Sequence, residues 1–360
     1  MNVTTDTVLG QLQEENIRWF EGKRCLVTGG AGFIGSWLVE ALVRLGARVY
    51  VADNLWRGSL DNLMDESGKP CVDLNERFIY ADLREYHSCL VAAMKADLVY
   101  HLADIVAGID FVFGNEPLLY RSNILINSNM ITAAKEVGVQ TFVYVGAACS
   151  YPKELQARPG GEPLHEDQAY PANPESGYGW SKLMGEYETQ LMGRNSSTQV
   201  GILRLHNVYG PRSEFAVKRS QVIPSLIRKA IRYPDEEFRV WGSGKQTRSF
   251  VYIADIVDAL LRVPYCGLGQ GAIQIGTSEQ TAIAELAEKI IRISGKSIPL
   301  VFDTTKPEGD GGRSANWEKA RKVLGWSPRV SMDEGLEQTY RWIYDQIQDK
   351  HRETDPITTG

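Results

Sequence analysis

The chain has 360 residues, of which 43% are hydrophobic and 23% are charged, and its formal net charge is −6. This composition is typical of a globular protein with a sizeable core, and the acidic balance argues against nucleic acid and anionic membranes as partners. The five cysteines show no CxxC spacing, which argues against a disulfide framework and a zinc site, so we predict no metal.

The two ends of the chain are polar in sequence. Residues 1–22 form a polar leader without the apolar stretch of a signal peptide, and residues 348–360 form a polar tail. No apolar run approaches the roughly 18 residues of a spanning helix. We therefore expect a cytoplasmic protein that makes no membrane contact.

From Arg24 onward, short β-branched runs alternate with helical stretches. RCLVTGG is followed by SWLVEALVRLG and RVYVADN, and later by DLVYHLA, INSNMITAAKEVGV and TFVYVGA. Alternation of this kind predicts an α/β fold, a Rossmann-type doubly wound parallel sheet with helices on both faces. After about Arg212 the alternation weakens, which predicts a smaller C-terminal α/β lobe.

The stretch TGGAGFIG contains a glycine motif that joins the first predicted strand to a helix. Gly29, Gly32 and Gly35 allow the backbone to turn tightly and to approach a pyrophosphate, which the helix N-terminus stabilises. Asp53 ends the next predicted strand, where its carboxylate can accept hydrogen bonds from ribose hydroxyls and would repel a 2′-phosphate. The motif therefore predicts NAD as the cofactor rather than NADP.

The predicted cofactor site extends to neighbours of this motif and to the ends of the following strands. Asp82 follows a third predicted strand and is placed to reach the adenine. The full predicted set is Gly29, Gly32, Phe33, Ile34, Gly35, Asp53, Asn54, Asp82, Leu83, Leu102, Ala103, Tyr178 and Lys182.

Tyr178 and Lys182 lie one helical turn apart and therefore share a helix face. An ammonium group beside a phenol lowers the phenol pKa, and the phenolate can take a proton from a hydroxyl while hydride leaves the same carbon. Cys149 follows a predicted strand in GAACSYP. Its spacing alone leaves open a chemical role and a purely structural, buried cysteine.

Six distributed stretches resemble extended short-chain dehydrogenases/reductases of the nucleotide-sugar epimerase and dehydratase group. They are HLADIVAGIDF (101–111), ACSYP (148–152), EDQAYPANPESGYGWSK (166–182), HNVYGP (206–211), VWGSGKQTRSF (240–250) and KPEGDGGRS (306–314). The resemblance covers about residues 23–347, and within the group it is strongest to the GDP-mannose 3,5-epimerases.

This resemblance implies an NAD-dependent nucleotide-sugar epimerase with Cys149, Tyr178 and Lys182 as catalytic residues. In such enzymes the tyrosine and the cofactor oxidise the sugar at C4, and the keto group acidifies the C–H bonds at C3 and C5. A cysteine removes a proton from one face and a second acid returns one to the other. The implied substrate is a GDP-hexose-like sugar nucleotide held by Gly108, Asn207, Lys218, Arg248 and Arg313.

Two positions depart from the family pattern. Ala147 stands where a hydroxyl residue usually hydrogen-bonds the reacting C4 oxygen. Gln221 or Val222 stands where the second acid is expected, and Lys218, a few residues upstream, is the alternative acid. These departures leave open a C4 epimerase, a C4 dehydrogenase, or a non-catalytic regulator that binds NAD or a sugar nucleotide.

The resemblance also divides the chain. We expect residues 23–211 to form the NAD-binding Rossmann domain with the catalytic residues and residues 212–347 to bind mainly the nucleotide sugar. A homodimer is expected, because relatives pair through two helices that include the one bearing the tyrosine.

Overall fold

The computed structural model describes residues 18–65, 67–217, 219–306 and 308–348. Most of the predicted leader, Lys218 and nearly all of the predicted tail lie outside these residues. The described end of the leader is not purely polar surface. Phe20 is fully buried in the main core, and the Lys23 ammonium lies 4.2 Å from the centre of the Trp19 ring. This segment therefore packs as part of the first domain.

Strands and helices alternate through the first two thirds of the described chain. The strands are β1 (Arg24–Thr28), β2 (Arg48–Asp53), β3 (Phe78–Tyr80), β4 (Leu98–His101), β5 (Thr141–Ala147), β6 (Gln199–Leu205), β7 (Asn207–Tyr209), β8 (Arg239–Trp241), β9 (Thr247–Arg248), β10 (Phe250–Tyr252), β11 (Ala272–Ile275), β12 (Thr281–Ala282), β13 (Val301–Asp303) and β14 (Gly312–Arg313). The α-helices are α1 (Phe33–Arg44), α2 (Leu74–Arg77), α3 (Tyr86–Ala93), α4 (Ile109–Gly114), α5 (Glu116–Glu136), α6 (Gly177–Arg194), α7 (Val222–Arg232), α8 (Ile253–Cys266), α9 (Ile283–Ser294), α10 (Glu318–Leu324) and α11 (Met332–Gln348).

Seven strands form the central sheet in the order β11-β6-β5-β4-β1-β2-β3, and every neighbouring pair is parallel. The predicted Rossmann-type parallel sheet is confirmed. Chain order reverses at β1, which lies between β2 and β4. In open α/β sheets a ligand crevice forms at such a reversal, outside the carboxyl ends of the strands.

Both faces of this sheet are covered, which explains why its strands are nearly continuous apolar runs. On one face Leu38 of α1 and Leu260 of α8 pack in the larger apolar cluster. On the other, Met130 of α5 packs with Phe142 of β5 in a second cluster. All four side chains are fully buried, so an apolar core lies on each face of the sheet.

The C-terminal part of the chain builds small sheets above the strand ends and also returns to the central sheet. The small sheets are β12-β9-β14, β13-β8 and β10-β7. Strand β11 pairs with β6 at the edge of the central sheet, and α8 packs against α1. The chain thus crosses the division we expected after residue 211, because Ala272–Ile275 complete the Rossmann sheet. Within the described ranges, no helix is long and apolar enough to cross a bilayer.

Candidate active site

A cavity of about 950 Å³ opens where the carboxyl ends of the central strands meet the C-terminal lobe. Its floor comes from the turns after β1, β2, β4 and β5, and its opposite wall comes from β9, β14 and the segment before α7. The geometry is that expected at the reversal of strand order. Most of the side chains discussed below line this cavity.

The turn between β1 and α1 can accept only glycine at two positions. Gly29 has φ +68°, in the left-handed region, and a Cβ at Gly35 would lie 2.2 Å from the carbonyl oxygen of Gly29. The nearby Asp53 carboxylate accepts hydrogen bonds from the backbone N–H groups of Ala31 (3.0 Å) and Leu55 (2.8 Å). A bare-backbone cradle at a helix N-terminus, with a fixed acid beside it, fits the pyrophosphate and ribose of NAD.

All members of the predicted cofactor set line this cavity. They are Gly29, Gly32, Phe33, Ile34, Gly35, Asp53, Asn54, Asp82, Leu83, Leu102, Ala103, Tyr178 and Lys182. The Asp82 carboxylate is paired with Arg84 at 2.6 Å, which holds its pKa below the usual range. Contact of each residue with the cofactor stays a prediction, but the set is contiguous in space.

Helix α6 positions Tyr178 and Lys182. The Ser176 hydroxyl caps the helix by accepting a hydrogen bond from the Gly179 N–H (3.3 Å). The buried Lys182 ammonium donates to the Val145 carbonyl at 3.0 Å and lies 5.8 Å from the centre of the Tyr178 ring. The helix start is therefore fixed beside the end of β5.

Asp104, which the sequence analysis did not single out, contacts both members of this pair. Its Oδ2 accepts a hydrogen bond from the Tyr178 hydroxyl (2.8 Å) and lies 3.0 Å from the Lys182 Nζ. Burial, and then the Asp104 carboxylate, raise the pKa of Tyr178 well above its usual value. We expected the Lys182 ammonium to lower the pKa of Tyr178, and the two effects that raise this pKa outweigh it. The signal for Asp104 was its position directly after the predicted Leu102 and Ala103.

Cys149 lies in a short 3-10 turn, Ala148–Ser150, directly after β5, and its half-buried side chain borders the cavity. Burial raises the pKa of this thiol to about 11, while the charges of Arg313 and Lys182 act in the opposite direction. A Cβ at Gly179 would lie 2.3 Å from the Cys149 carbonyl oxygen, so the turn packs closely against α6. The thiol is protonated at neutral pH, and its use as a base requires a lower pKa.

Two arginines border the cavity from the lobe. Arg313 of β14 is the register partner of Arg248 of β9, so the two residues are side by side. The Arg313 Nη2 lies 3.4 Å from Asp310, whereas its buried Nε and Nη1 have no hydrogen-bond partner. Burial, followed by the charge of Arg313, lowers the pKa of Arg248 to about 10. Adjacent guanidinium groups with free N–H bonds suit a diphosphate.

A carboxyl pair that we did not predict lies beside these arginines. The Glu175 side chain is hydrogen-bonded to Asp310, and both residues line the cavity. Burial of the carboxyl group, the hydrogen bond to Asp310 and the charge of Asp310 raise the pKa of Glu175 to about 7, against the effect of Arg313 and Arg248. The neighbouring Asp310 carboxylate therefore disfavours the ionised form of Glu175. Glu175 and Asp310 are far apart in sequence, so they come together only in the folded protein.

The remaining predicted substrate residues differ in whether they line the cavity. Asn207 lines the cavity and its amide donates to the Ser249 carbonyl at 3.0 Å. Gly108 is not itself part of the cavity wall, although Ala107 and Ile109 on either side of it are. Lys218 lies outside the described residues.

Both departures from the family pattern also border the cavity. Ala147 presents no hydroxyl there, and Gln221 is the residue immediately before α7. Among the residues that the structure describes, no cluster of His, Cys, Asp and Glu side chains is arranged to hold a metal ion.

This chain belongs to the NAD dependent epimerase/dehydratase family, whose model matches residues 25–276. It is an NAD-dependent enzyme of that family, and the resemblance inferred from its motifs is confirmed. GDP-mannose 3,5-epimerase of Arabidopsis thaliana is 31% identical over 94% of this chain and 86% of its own length. UDP-glucuronic acid decarboxylase 5 of the same plant is 32% identical over 87% of each chain.

Solved structures show the same kinship. UDP-glucose 4-epimerase of Thermotoga maritima, solved with UDP-glucose, superposes with a TM-score of 0.79 at 26% identity and covers 90% of this chain and 99% of its own. UDP-glucose 4-epimerase of Thermus thermophilus, solved with NAD, superposes with a TM-score of 0.75 at 26% identity and covers 89% of this chain and 98% of its own.

Proposed function

We propose that this enzyme epimerises a GDP-hexose-like nucleotide sugar, through transient oxidation at C4 and proton exchange at C3, C5 or both. One observation carries the proposal: Cys149, Tyr178 and the two lobe arginines border the same cavity as the cofactor cradle. A C4 epimerase needs the tyrosine but no thiol. The thiol at this position is what favours chemistry at the carbons beside C4.

The two arginines support a diphosphate as the anchor of the substrate. Arg313 offers two buried nitrogen atoms without partners, and Arg248 lies next to it. A guanidinium donates parallel hydrogen bonds that match phosphate oxygens, so the pair can hold an anion on a protein of net negative charge. Similarity to GDP-mannose 3,5-epimerase supports a guanine nucleotide in the substrate. Because the chain is also similar to UDP-sugar enzymes, UDP-sugars are to be assayed as substrates as well.

The proposed chemistry divides between residues of this chain. NAD, when bound, supplies the acceptor for hydride from C4. Tyr178 exchanges a proton with the C4 hydroxyl, and the ammonium of Lys182 stabilises negative charge beside it. Cys149 removes a proton from the carbon next to the keto group once its pKa is lowered, and Lys218 is the proposed acid that returns one.

Isotope exchange tests this function directly. We expect the enzyme, incubated with GDP-hexoses in deuterated water, to incorporate deuterium at C3 or C5, as measured by mass spectrometry and NMR. Cys149→Ser should reduce the exchange by about 10²-fold or more, because a hydroxyl is a far weaker base than a thiolate. Cys266→Ser is the matched control, since that free, half-buried thiol only donates to the Arg262 carbonyl. Turnover without carbon-bound deuterium would exclude the thiol-base function.

A second candidate is a C4 epimerase or C4 dehydrogenase. Ala147 and Gln221 favour it, because the usual hydroxyl and the usual acid are missing from the cavity wall. Its signature is inversion at C4, or release of a keto sugar with reduced nicotinamide, without solvent deuterium on carbon. UDP-glucose and GDP-mannose, each assayed in deuterated water, distinguish the two candidates by the presence or absence of deuterium at C3 or C5 of the sugar.

We also propose a homodimer formed through α5 and α6, which pack against each other. Their outer faces expose large apolar side chains, namely Leu118, Tyr120, Leu125, Tyr187 and Leu191. Exposed apolar faces on adjacent helices are typical of an oligomer interface. Sedimentation that gives only monomer at micromolar concentration would contradict this. The cytoplasmic location stays a prediction.

A further inference from the structure

Strand β11, at the edge of the central sheet, carries a buried glutamine. The strand has the sequence AIQI, and the side chain of Gln274 has no exposed surface. A buried amide is costly unless each of its polar atoms has a hydrogen-bond partner. The partners of Gln274 therefore show which parts of the molecule this residue connects.

All the hydrogen-bonding capacity of the Gln274 side chain is used. Its Nε2 donates to the carbonyl oxygens of Leu164 and Asn316, the latter at 2.7 Å. Its Oε1 accepts from the Tyr151 hydroxyl at 2.9 Å and lies 3.1 Å from Nε2 of His206. An amide offers two donors and two acceptor positions, so the four partners leave one orientation of this side chain.

The amide also fixes which nitrogen of the neutral His206 ring carries a proton. Because Oε1 of Gln274 can only accept, the proton is on Nε2 of His206. The Nδ1 of the same ring lies 3.2 Å from the Ser249 hydroxyl and accepts its proton. A Cβ at Gly276 would lie 2.7 Å from Cγ of His206, so the ring is closely packed on that side. A continuous chain of hydrogen bonds thus joins Ser249 to Tyr151.

One end of this chain holds the turn that carries Cys149. Tyr151 follows the Ala148–Ser150 turn directly, and its N–H donates to the Ala148 carbonyl at 3.3 Å. Its ring is fully buried, with the guanidinium of Arg204 4.5 Å from the ring centre. Because Tyr151 is held at its backbone and at its hydroxyl, it fixes the position of Cys149, two residues earlier.

The other end of the chain holds the strands that carry the two arginines. Ser249 follows Arg248 directly, and its N–H donates to the Arg313 carbonyl at 2.8 Å. Its own carbonyl accepts a hydrogen bond from the Asn207 amide at 3.0 Å. The Ser249 hydroxyl, bonded to His206, therefore connects the arginine strands to the same chain of hydrogen bonds.

We propose that Gln274 is a positioning residue that sets the place of Cys149 relative to Arg248 and Arg313. Gln274 does not line the cavity, so it acts on the reaction only through these groups. Its role in catalysis rests on the proposed function, in which the arginines hold the diphosphate and the thiol meets the sugar ring. A displacement of about 1 Å between an anchor and a reacting group can cost about 100-fold in rate.

Tyr151→Phe removes one hydroxyl from this chain and keeps the buried ring. Its matched control is Tyr252→Phe, because the Tyr252 hydroxyl also donates to a glutamine, Gln338, at 2.7 Å, and Tyr252 is likewise buried and does not line the cavity. Both variants should unfold roughly 2–4 °C below the wild type, since each loses a hydrogen bond of the same kind. An effect found in Tyr151→Phe alone therefore reports position rather than stability.

The first test needs no nucleotide sugar and therefore separates this inference from the proposed function. The holoenzyme is treated with iodoacetamide, and mass spectrometry follows alkylation of Cys149 relative to Cys266. Tyr151→Phe and Gln274→Leu should raise the Cys149 rate about threefold or more, because the turn is held less firmly, whereas Tyr252→Phe should match the wild type. An unchanged rate in Tyr151→Phe, or an equal rise in Tyr252→Phe, would overturn the proposal, and Tyr151→Phe decides if the leucine variant does not fold.

The second test separates the two ends of the chain by kinetics. With a GDP-hexose in deuterated water, Tyr151→Phe should incorporate deuterium at C3 or C5 about tenfold more slowly at saturating substrate, with little change in KM. Ser249→Ala should instead raise KM, because it releases the arginine strands, and Gln274→Leu should show both effects. The same change of kcat and KM in all three variants would indicate a purely structural role and overturn the proposal. An enzyme that turns over no nucleotide sugar but shows the expected alkylation would refute the proposed function alone.

Discussion

The two sides of the cavity differ in how their polar groups are paired. On the Rossmann side, the Asp53 carboxylate is fixed by two backbone N–H groups, and Lys182, Tyr178 and Asp104 are bonded to one another. On the lobe side, Arg313 has two buried nitrogen atoms with no partner in the protein. The first side is preorganised for chemistry, whereas the second retains hydrogen-bonding capacity that an anionic ligand can use.

The largest expected effect comes from disturbing the rigid side. Gly35→Ala places a Cβ 2.2 Å from the Gly29 carbonyl oxygen, and backbone atoms cannot move aside as a flexible side chain would. We expect about 1–3 kcal/mol of destabilisation in thermal unfolding. Calorimetry should show NAD bound about 100-fold more weakly, because the cradle shifts. Gly114→Ala, with no atom within 4 Å, is the control. A variant with wild-type NAD affinity would show that this turn is not preorganised.

A smaller effect should follow from removing the unpaired arginine of the lobe. Arg313→Ala should weaken binding of the GDP-sugar roughly tenfold to hundredfold, the equivalent of about 1.5–3 kcal/mol for hydrogen bonds to a charged group. NAD affinity should not change, since the cofactor cradle is on the other side. Arg321→Ala, at an exposed ion pair, is the matched control. Isothermal titration measures both ligands, and equal loss of both would contradict the division of the cavity.

The smallest expected effect concerns Glu175 and pH. Its pKa is raised to about 7, so the carboxyl is neutral below that pH and negative above it, beside two arginines that attract phosphate. Affinity for the GDP-sugar should therefore fall about twofold to fivefold as pH rises through about 7, a modest change because the site is partly open to solvent. Glu175→Gln should abolish this step, and the exposed Glu162→Gln should retain it. A pH-independent affinity in the wild type would remove Glu175 from the binding site.

The predicted site residues that the structure brings together in the cavity are those whose position is encoded locally. Gly29, Gly35 and Asp53 follow from the spacing of a strand, a turn and a helix, and Tyr178 with Lys182 follows from one helical turn. Such patterns survive folding because the backbone geometry that they require lies within the same segment. The fold class was predictable for the same reason, since strand and helix periods alternate along the chain.

The residues that were missed depend on contacts between distant segments. Asp104 meets Tyr178, and Glu175 meets Asp310, only after strands far apart in sequence have paired. The raised pKa of Cys149 likewise arises from burial, which no spacing reveals. No local signal marked β11 as the edge strand of the central sheet, because a strand of only four residues, AIQI, fits equally well in either lobe.

Because β11 comes late in the chain, the central sheet can be completed only after most of the protein has been synthesised. A nascent chain that has emerged only as far as the predicted boundary lacks the edge strand beside β6 and the helix that packs on α1. The cofactor half thus finishes assembling only when a segment flanked on both sides by lobe sequence has docked. If residues 23–211 were expressed alone, strand β6 would have an unpaired edge. The two walls of the cavity therefore have to fold together.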